Sequence, residues 1–176
     1  VIGTIILLPF ILPLFKQSIN KKDLIIYIFR GFAQGAGVIL WFYAMSRIPR
    51  AEVTAISYTG PIYISIGAAI FFGEKLALRR IIAIFIAFIG TLIILRPGFQ
   101  EISTGQLAQI ISAPLFAISY LLSKELTKKH NSLVIVCMLS VFVTLILAPP
   151  AISVWVQPSI KEILSLSIVA ILATLG

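Results

Sequence analysis

Runs of apolar residues, each long enough to cross a lipid bilayer as a helix, follow one another through this chain. A helical crossing takes roughly 17–25 residues. Four complete runs reach that length: Leu24–Ser46, Ala51–Phe72, Leu107–Ser123 and Leu133–Val156. A shorter run and two terminal runs complete the series: Ile81–Leu95, Val1–Phe15 and Ile163–Gly176. The connections between them are short, which predicts a bundle of helices joined by tight turns.

The composition agrees with a lipid environment. Hydrophobic residues make up 60% of the 176 residues and charged residues 11%, whereas a soluble domain carries roughly 45–50% and 25%. So few charges cannot coat a water-facing surface. We therefore predict an all-α, polytopic membrane helical bundle with seven visible spans. Because the chain opens on Val1 rather than Met and closes inside an apolar run, we also expect a fragment of a longer protein.

Lysine and arginine residues concentrate in alternate connections. Nine of them fall on one side: Lys16, Lys21, Lys22, Lys75, Arg79, Arg80, Lys124, Lys128 and Lys129. The other connections hold four: Arg47, Arg50, Arg96 and Lys161. Such an excess marks the cytoplasmic side, so the second segment is predicted to run from inside to outside. The net charge of +8 thus reflects membrane topology, and we expect no nucleic-acid partner.

An internal repeat relates the start of the chain to its end. A shift of 140 positions aligns Pro9 with Pro149 and Gln17 with Gln157, and gives ten identities over 36 overlapping positions. Five apolar segments separate the two repeat starts, and an odd number inverts the second copy, as in secondary transporters. We predict a first repeat over residues 1–98, lacking its first helix, and the start of an inverted second repeat over 105–176. The parent protein would then have five plus five helices.

Motifs for catalysis, cofactor binding or metal coordination do not occur in the sequence. It contains no G-x-x-x-x-G-K-[ST] nucleotide loop, no G-x-S-x-G nucleophile and no H-E-x-x-H metal motif. The one histidine, His130, follows two lysines in a connection, and we expect it to be solvated. The sequence therefore predicts neither an enzyme nor a bound cofactor or metal. Energy for transport would come from a gradient or from a partner subunit.

The second segment combines small residues with a polar column. Gly31 and Gly35 form a G-x-x-x-G spacing, which lets helix backbones approach closely in lipid. Arg30, Gln34 and Trp41 share one helix face, and polar residues on an apolar span usually face a bundle interior or a cavity. The alternative for Arg30 is that its side chain extends to the inner headgroups.

The third segment is the most polar of the spans. Thr54, Tyr58, Pro61 and Ser65 share one face, and Glu52, Thr59 and Tyr63 share an adjacent one. Pro61 removes a backbone hydrogen bond close to mid-span, which predicts a kink. A kinked, polar span favours a role in lining a transport pathway. Glu52 lies one turn inside the outer end, where it either contacts substrate or protons or offsets the helix dipole beside Arg47 and Arg50.

Three stretches within Pro49–Gly98 carry a resemblance to a known family. They read P-R-A-E-V-T-A-I-S-Y-T-G-P-I-Y, then F-F-G-E-K-L-A-L-R-R, then F-I-G-T-L-I-I-L-R-P-G. This region resembles the EamA-type branch of the drug/metabolite transporter superfamily. The matching motif positions are Glu52, Thr54, Pro61, Gly73, Glu74 and the Arg96-Pro97-Gly98 end. Val53 and Tyr58 depart from the common pattern, in positions that could adjust the pocket.

The resemblance implies ten helices in two inverted five-helix repeats, a central substrate cavity and alternating access without ATP. It implies a structural hinge or inner cap at Gly73-Glu74. Ala51-Glu52-Val53-Thr54 forms an Ala-Glu-Ala-Thr-like signature. This signature is similar to that of a subgroup of S-adenosylmethionine importers from obligate intracellular bacteria. The general alternative within the family is an exporter of amino acids or related metabolites.

These features predict a secondary transporter of a small polar metabolite in the bacterial inner membrane, driven by protons or by a counter-substrate. The residues expected to contact the substrate are Gln34, Trp41, Tyr58, Thr59, Arg30 and Glu52, the last two as gates or charge partners. Pro61 is expected to kink the third segment, and Gly31 and Gly35 are expected to allow close helix packing. A non-transporting scaffold subunit or a truncated remnant are the alternatives, and the sequence carries no signal for an oligomeric state.

Overall fold

The structure, a computed structural model, describes residues 19–75, 78–95 and 102–175. These residues form helices connected by turns, without a strand among them. The helices are α1 (Lys21–Arg47), α2 (Arg50–Ser57), α3 (Gly60–Phe72), α4 (Leu78–Leu95), α5 (Thr104–Leu126), α6 (Ser132–Ser153) and α7 (Ile160–Leu175). The predicted all-α membrane bundle is confirmed. The first predicted segment, Val1–Phe15, and the Arg96-Pro97-Gly98 motif lie outside the described residues.

Four stretches of the described chain are long and apolar enough to cross a membrane. They are Lys21–Arg47, Arg50–Phe72, Thr104–Leu126 and Ser132–Ser153. In α1 the ends also agree with the helix dipole, because Asp23 lies in the first turn and Arg47 in the last. Pro49 follows at once and disfavours helical backbone in the residue before it.

The third predicted span, which the structure places at Arg50–Phe72, is interrupted by a turn, although Tyr58 and Thr59 keep right-handed helical backbone angles. α2 ends at Ser57, a turn occupies Tyr58 and Thr59, and α3 begins at Gly60. The physical reason is Pro61 in the first turn of α3, since proline has no N–H to donate to the Ser57 carbonyl. The expected kink is therefore a break near mid-span, directly before the proline.

α3 ends in a glycine cap. Gly73 adopts φ +65°, a left-handed conformation that costs glycine little. Its N–H donates to the Ala69 carbonyl at 3.1 Å and the N–H of Glu74 donates to the Ala68 carbonyl at 3.4 Å, which satisfies two carbonyls at the helix end. The expected structural cap at Gly73-Glu74 is present.

The contacts divide the chain into two compact units. Unit 1 comprises Val1–Gly35 and Glu125–Gly176, and unit 2 comprises Ala36–Lys124. These limits do not coincide with the predicted repeats over residues 1–98 and 105–176, which stay a prediction.

Unit 1 is built on close packing between the first part of α1 and α6. Its buried core is Tyr27, Leu126, Val134 and Ile135, with Ile19, Ile26, Met138 and Phe142 packed against it. A Cβ added at Gly31 would overlap the Cβ of Phe142, and one added at Gly35 would lie 2.7 Å from Cγ2 of Ile146. The two glycines therefore lie where the α1 backbone packs closely against α6 side chains, as the G-x-x-x-G spacing indicates.

Unit 2 has its own buried centre, formed by Ala44 of α1, Val53 of α2 and Ala108 of α5. Leu40, Trp41, Met45 and Ile48 pack around these three residues. The small side chains bring the second half of α1, α2 and α5 together, and this arrangement positions the cavity described next.

Candidate functional site

A cavity of about 1050 Å³ lies in unit 2 between α2, α3 and α4, with one residue from α5. The face of the broken span that carries Thr54, Tyr58, Pro61 and Ser65 lines it. These are the four residues that the helical spacing places on one face. The rest of the lining is mostly apolar or small and comes largely from α4: Ala51, Ala55, Ile62, Ile64, Ala83, Ile84, Ile86, Ala87, Gly90, Thr91, Arg80 and Tyr120.

The hydroxyl groups of the cavity are oriented by the helices that carry them. Thr54 donates to the Arg50 carbonyl at 2.9 Å, Ser65 to the Pro61 carbonyl at 2.6 Å, and Thr91 to the Ala87 carbonyl at 2.9 Å. Because each hydroxyl proton is used within its own helix, the remaining capacity of these groups is to accept hydrogen bonds. The cavity therefore offers acceptors to a ligand that carries N–H or O–H groups.

Aromatic rings supply the other specific surface of the cavity. Tyr58 lies in the turn between α2 and α3 with 65% of its surface exposed, and Tyr120 of α5 is 57% exposed. An exposed tyrosine beside a cavity presents a flat ring for stacking and a hydroxyl for hydrogen bonding.

A polar seam joins α2 to α5 in the same unit. Gln106 Nε2 donates to Glu52 Oε2 at 3.1 Å, and Gln109 Nε2 donates to Ser57 Oγ at 2.8 Å. Gln106 also caps α5, since Ser103 and Gln106 exchange side-chain and backbone hydrogen bonds. Glu52 thus lies in the first turn of α2, where a carboxylate offsets the dipole, and it holds the helix to α5.

The connection after α3 is held by ion pairs. The Glu74 carboxylate accepts from Lys124 Nζ of α5, and Arg80 Nη1 of α4 lies 4.0 Å from its other oxygen. The hydrogen bond from Lys124, with the charges of Lys124 and Arg80, lowers the pKa of Glu74 against a partial opposing effect of desolvation. Glu74 therefore stays ionised near neutral pH and ties three helices together at the predicted cytoplasmic end.

Unit 1 contains a buried cation among apolar side chains. Arg30 is 7% exposed, and its Nη1 donates to the Ile135 carbonyl of α6 at 2.8 Å. Within the described part of the chain its Nε has no hydrogen-bond partner, and neither does the hydroxyl of Tyr27, which is 1% exposed. The alternative that Arg30 extends to the headgroups does not hold, because the guanidinium is packed against α6.

The His130 side chain is mostly covered by protein, so the expectation of a solvated histidine is wrong. Its side chain is 10% exposed, its Nε2 lies 3.3 Å from Asp23 Oδ2, and its ring packs 5.7 Å from that of Tyr27. Lys129 Nζ donates to the other Asp23 oxygen at 3.0 Å. The short connection before α6 brings both side chains against the first turn of α1, which sequence spacing alone does not reveal.

The residues predicted to contact a substrate fall into different environments. Arg30 and half-buried Gln34 belong to unit 1, whereas Trp41, Glu52, Tyr58 and Thr59 belong to unit 2. Of the latter four, Tyr58 lines the cavity. Trp41 packs on the apolar centre of unit 2. Thr59 is 9% exposed and donates to the Ile56 carbonyl at 2.7 Å.

Sequence reasoning missed several polar residues that the structure brings to these places. Asp23 and Tyr27 precede Arg30 by seven and three residues, which places them on its side of α1. Gln106 and Gln109 are likewise three residues apart and fall on one face of α5. The spacing was a usable signal in both cases, but it does not identify the partner helix.

Comparisons with known proteins give one consistent family. Residues 1–96 match the EamA-like transporter family. The chain is similar to the S-adenosylmethionine uptake transporter of Rickettsia bellii (strain RML369-C), at 24% identity over 161 residues, which is 92% of this chain and 55% of that protein.

Two further relatives carry different names. The riboflavin transporter of Brucella anthropi is 28% identical over 161 residues, 92% of this chain and 55% of that protein. The pseudopaline exporter CntI of Pseudomonas aeruginosa (strain UCBPP-PA14) is 22% identical over 143 residues, 81% of this chain and 50% of that protein. The chain thus spans about half the length of the curated relatives it matches. No solved structure gives a significant match.

Proposed function

The chain belongs to the EamA-like transporter family, and from that premise we propose that it forms part of a secondary transporter that moves a small polar metabolite by alternating access. It is a multi-pass protein of the bacterial inner membrane. The single observation that carries the proposal is the interrupted span: α2 and α3 meet at a turn near the middle of Arg50–Phe72, and their polar face lines the cavity. A proline that removes a helical hydrogen bond within a membrane span is tolerated where neighbouring groups satisfy the freed backbone, and polar residues on such a span usually face a bundle interior or a cavity.

We propose uptake of an S-adenosylmethionine-like molecule as the specific activity. Relatives named as S-adenosylmethionine uptake transporters support this choice. So does the chemistry of the cavity: hydroxyl acceptors suit the amino groups of such a molecule, and the Tyr58 ring suits its planar base. Transport would be coupled to protons or to a counter-substrate.

The complete transporter would contain two inverted five-helix repeats, with residues 1–98 in the first and residues 105–176 at the start of the second. Tyr58 is the residue we assign to the substrate. Arg30, Gln34, Trp41, Thr59 and Glu52 remain candidates for substrate contact or gating, with Thr59 and Glu52 the weaker because their polar groups already bond to protein.

The experiment is uptake of labelled S-adenosylmethionine by cells expressing the full protein, with empty-vector cells as the control. We expect saturable uptake that excess unlabelled S-adenosylmethionine abolishes and that amino acids or riboflavin leave unchanged. An uncoupler that reduces uptake would point to coupling to the proton gradient. Vector-level uptake, with the protein verified in the membrane, would contradict the proposed substrate and direction.

Export is the second candidate, and the similarity to a pseudopaline exporter favours it. An exporter would lower the intracellular level of a preloaded amino acid or related metabolite rather than raise that of an external one. Efflux from preloaded cells, measured in parallel, therefore separates the two directions.

A further inference from the structure

Two buried hydrogen-bond donors in unit 1 have no acceptor among the residues that the structure describes. Arg30 Nε and the Tyr27 hydroxyl are both shut off from solvent and without a partner among the described residues. Buried polar groups are almost always paired, and leaving one unpaired costs free energy that no contact here offsets. Both groups are therefore suited to a polar ligand that the described residues do not supply.

The two donors lie close together. Tyr27 and Arg30 are three residues apart on α1, so their side chains are neighbours on one face. Both meet the same residue of α6, because Ile135 packs in the core with Tyr27 and its carbonyl accepts from Arg30 Nη1. A ligand held by one donor is thus within reach of the other.

The positive charge of Arg30 favours an anionic ligand at this site. No carboxylate in the described residues forms an ion pair with Arg30, since the Asp23 carboxylate is already paired with Lys129 and His130. A cation buried within a membrane span is costly unless a counter-charge accompanies it. A guanidinium with a free Nε, beside a hydroxyl, matches the two oxygens of a carboxylate.

A lipid phosphate and the carboxylate of a transported molecule would both supply such an anion. Arg30 lies nine residues after the start of α1 at Lys21, and its Nη1 reaches the Ile135 carbonyl, three residues after the start of α6 at Ser132. The two sources share the same recognition chemistry, and the competition with a decarboxylated substrate described below separates them.

We propose that Arg30 and Tyr27 bind the carboxylate of the molecule that this protein transports. The ligand class is an α-amino acid derivative or another small carboxylic acid. The proposal rests on the proposed function in that the ligand is the transported substrate. It favours S-adenosylmethionine, which has a carboxylate, over riboflavin, which has none.

The first arm of the test is independent of transport. The full protein in detergent is melted in acetate and in chloride at equal ionic strength. We expect acetate to raise Tm by about 2–4 °C, and Tyr27→Phe and Arg30→Gln to abolish the rise. Tyr27→Phe keeps the packed ring and removes only the hydroxyl, so it guards against a folding defect. Tyr43→Phe and Arg47→Gln at the other end of α1 are the matched controls and should keep the rise. An equal Tm in both salts, or a rise that survives both changes, would overturn the proposal.

The second arm tests the substrate. Uptake of labelled S-adenosylmethionine is competed by unlabelled S-adenosylmethionine or by its decarboxylated form, which differs only by the carboxylate. We expect the wild type to prefer the carboxylated form by about tenfold or more, and Tyr27→Phe to reduce that preference. Equal competition by both forms in the wild type would refute carboxylate recognition. A positive first arm without any uptake would instead reject S-adenosylmethionine transport and leave the carboxylate site standing.

Discussion

Individual side chains in this protein can contact a ligand through the hydrogen-bonding capacity that their intramolecular bonds leave unused. Thr54, Ser65 and Thr91 use their protons within their own helices and face the cavity as acceptors. The Tyr58 side chain makes no hydrogen bond within the described residues, and it lines the cavity with most of its surface exposed. A ligand therefore meets acceptors on the helices and an aromatic surface at the break.

Tyr58→Ala should lower uptake without lowering the amount of protein in the membrane. Loss of a stacked ring costs about 0.5–1.5 kcal/mol beyond its area, which corresponds to a roughly twofold to tenfold fall in kcat/KM. Phe71→Ala is the matched control, because Phe71 is an exposed aromatic residue of α3 that does not line the cavity. Uptake by Tyr58→Ala that equals uptake by Phe71→Ala would remove Tyr58 from the site.

The ion pairs of Glu74 predict that the stability of the protein depends on pH. Its folded pKa is lowered by Lys124, and also by Arg80, so its stabilising effect is present above the unfolded pKa and is lost as pH falls through the folded pKa. Glu74→Gln should therefore lower Tm at pH 7, and the difference from wild type should shrink as the medium is acidified below the ordinary glutamate range. A Tm difference that stays constant down to pH 3 would contradict the ion-pair account. Glu125→Gln, which breaks only an exposed pair with Lys128 three residues away, is the control.

At the scale of elements, helix contacts depend on where small residues lie. α1 approaches α6 at Gly31 and Gly35, and α2 approaches α5 where Val53 meets Ala108. In lipid the apolar surface alone gives little attraction between helices, so such close approach and the hydrogen bonds of the polar seam carry the association.

Gly31→Ala should destabilise unit 1 by about 1–3 kcal/mol, the usual cost of overpacking a filled core. The new Cβ would overlap Phe142 at its Cβ, which cannot move without moving the α6 backbone. Gly90→Ala is the matched helical control, since nothing lies within 4 Å of an added Cβ there. Thermal unfolding in detergent measures both, and an equal Tm for the two variants would refute the close-packing account.

The sequence predicts the elements well and their partners poorly. Hydropathy locates the six described apolar segments within a few residues, and four of them are long and apolar enough to cross a membrane, because the bilayer sets the length of a crossing helix. Periodicity also groups Thr54, Tyr58, Pro61 and Ser65 correctly, since one helix fixes their spacing. The burial of His130 against Asp23 and the bonding of Glu52 to Gln106 depend on contacts between residues 107 and 54 positions apart, which no local pattern encodes.

At the scale of the whole molecule, the proposed function would make this chain part of a carrier with two access states. Each unit has its own centre and its own polar site: a cavity with acceptors in unit 2, and in unit 1 a buried cation beside a hydroxyl, with two donor groups that lack a partner among the described residues. The predicted inverted repeats would give the complete protein the symmetry from which alternating access follows.

Counterflow in liposomes tests that claim most directly. Liposomes containing the full protein are loaded with unlabelled S-adenosylmethionine and diluted into a trace of the labelled compound, without ATP or an ion gradient. A carrier predicts a transient accumulation of label above the external concentration, because returning sites are occupied by unlabelled substrate. Label that only equilibrates, or that enters no faster than into protein-free liposomes, would contradict the alternating-access account.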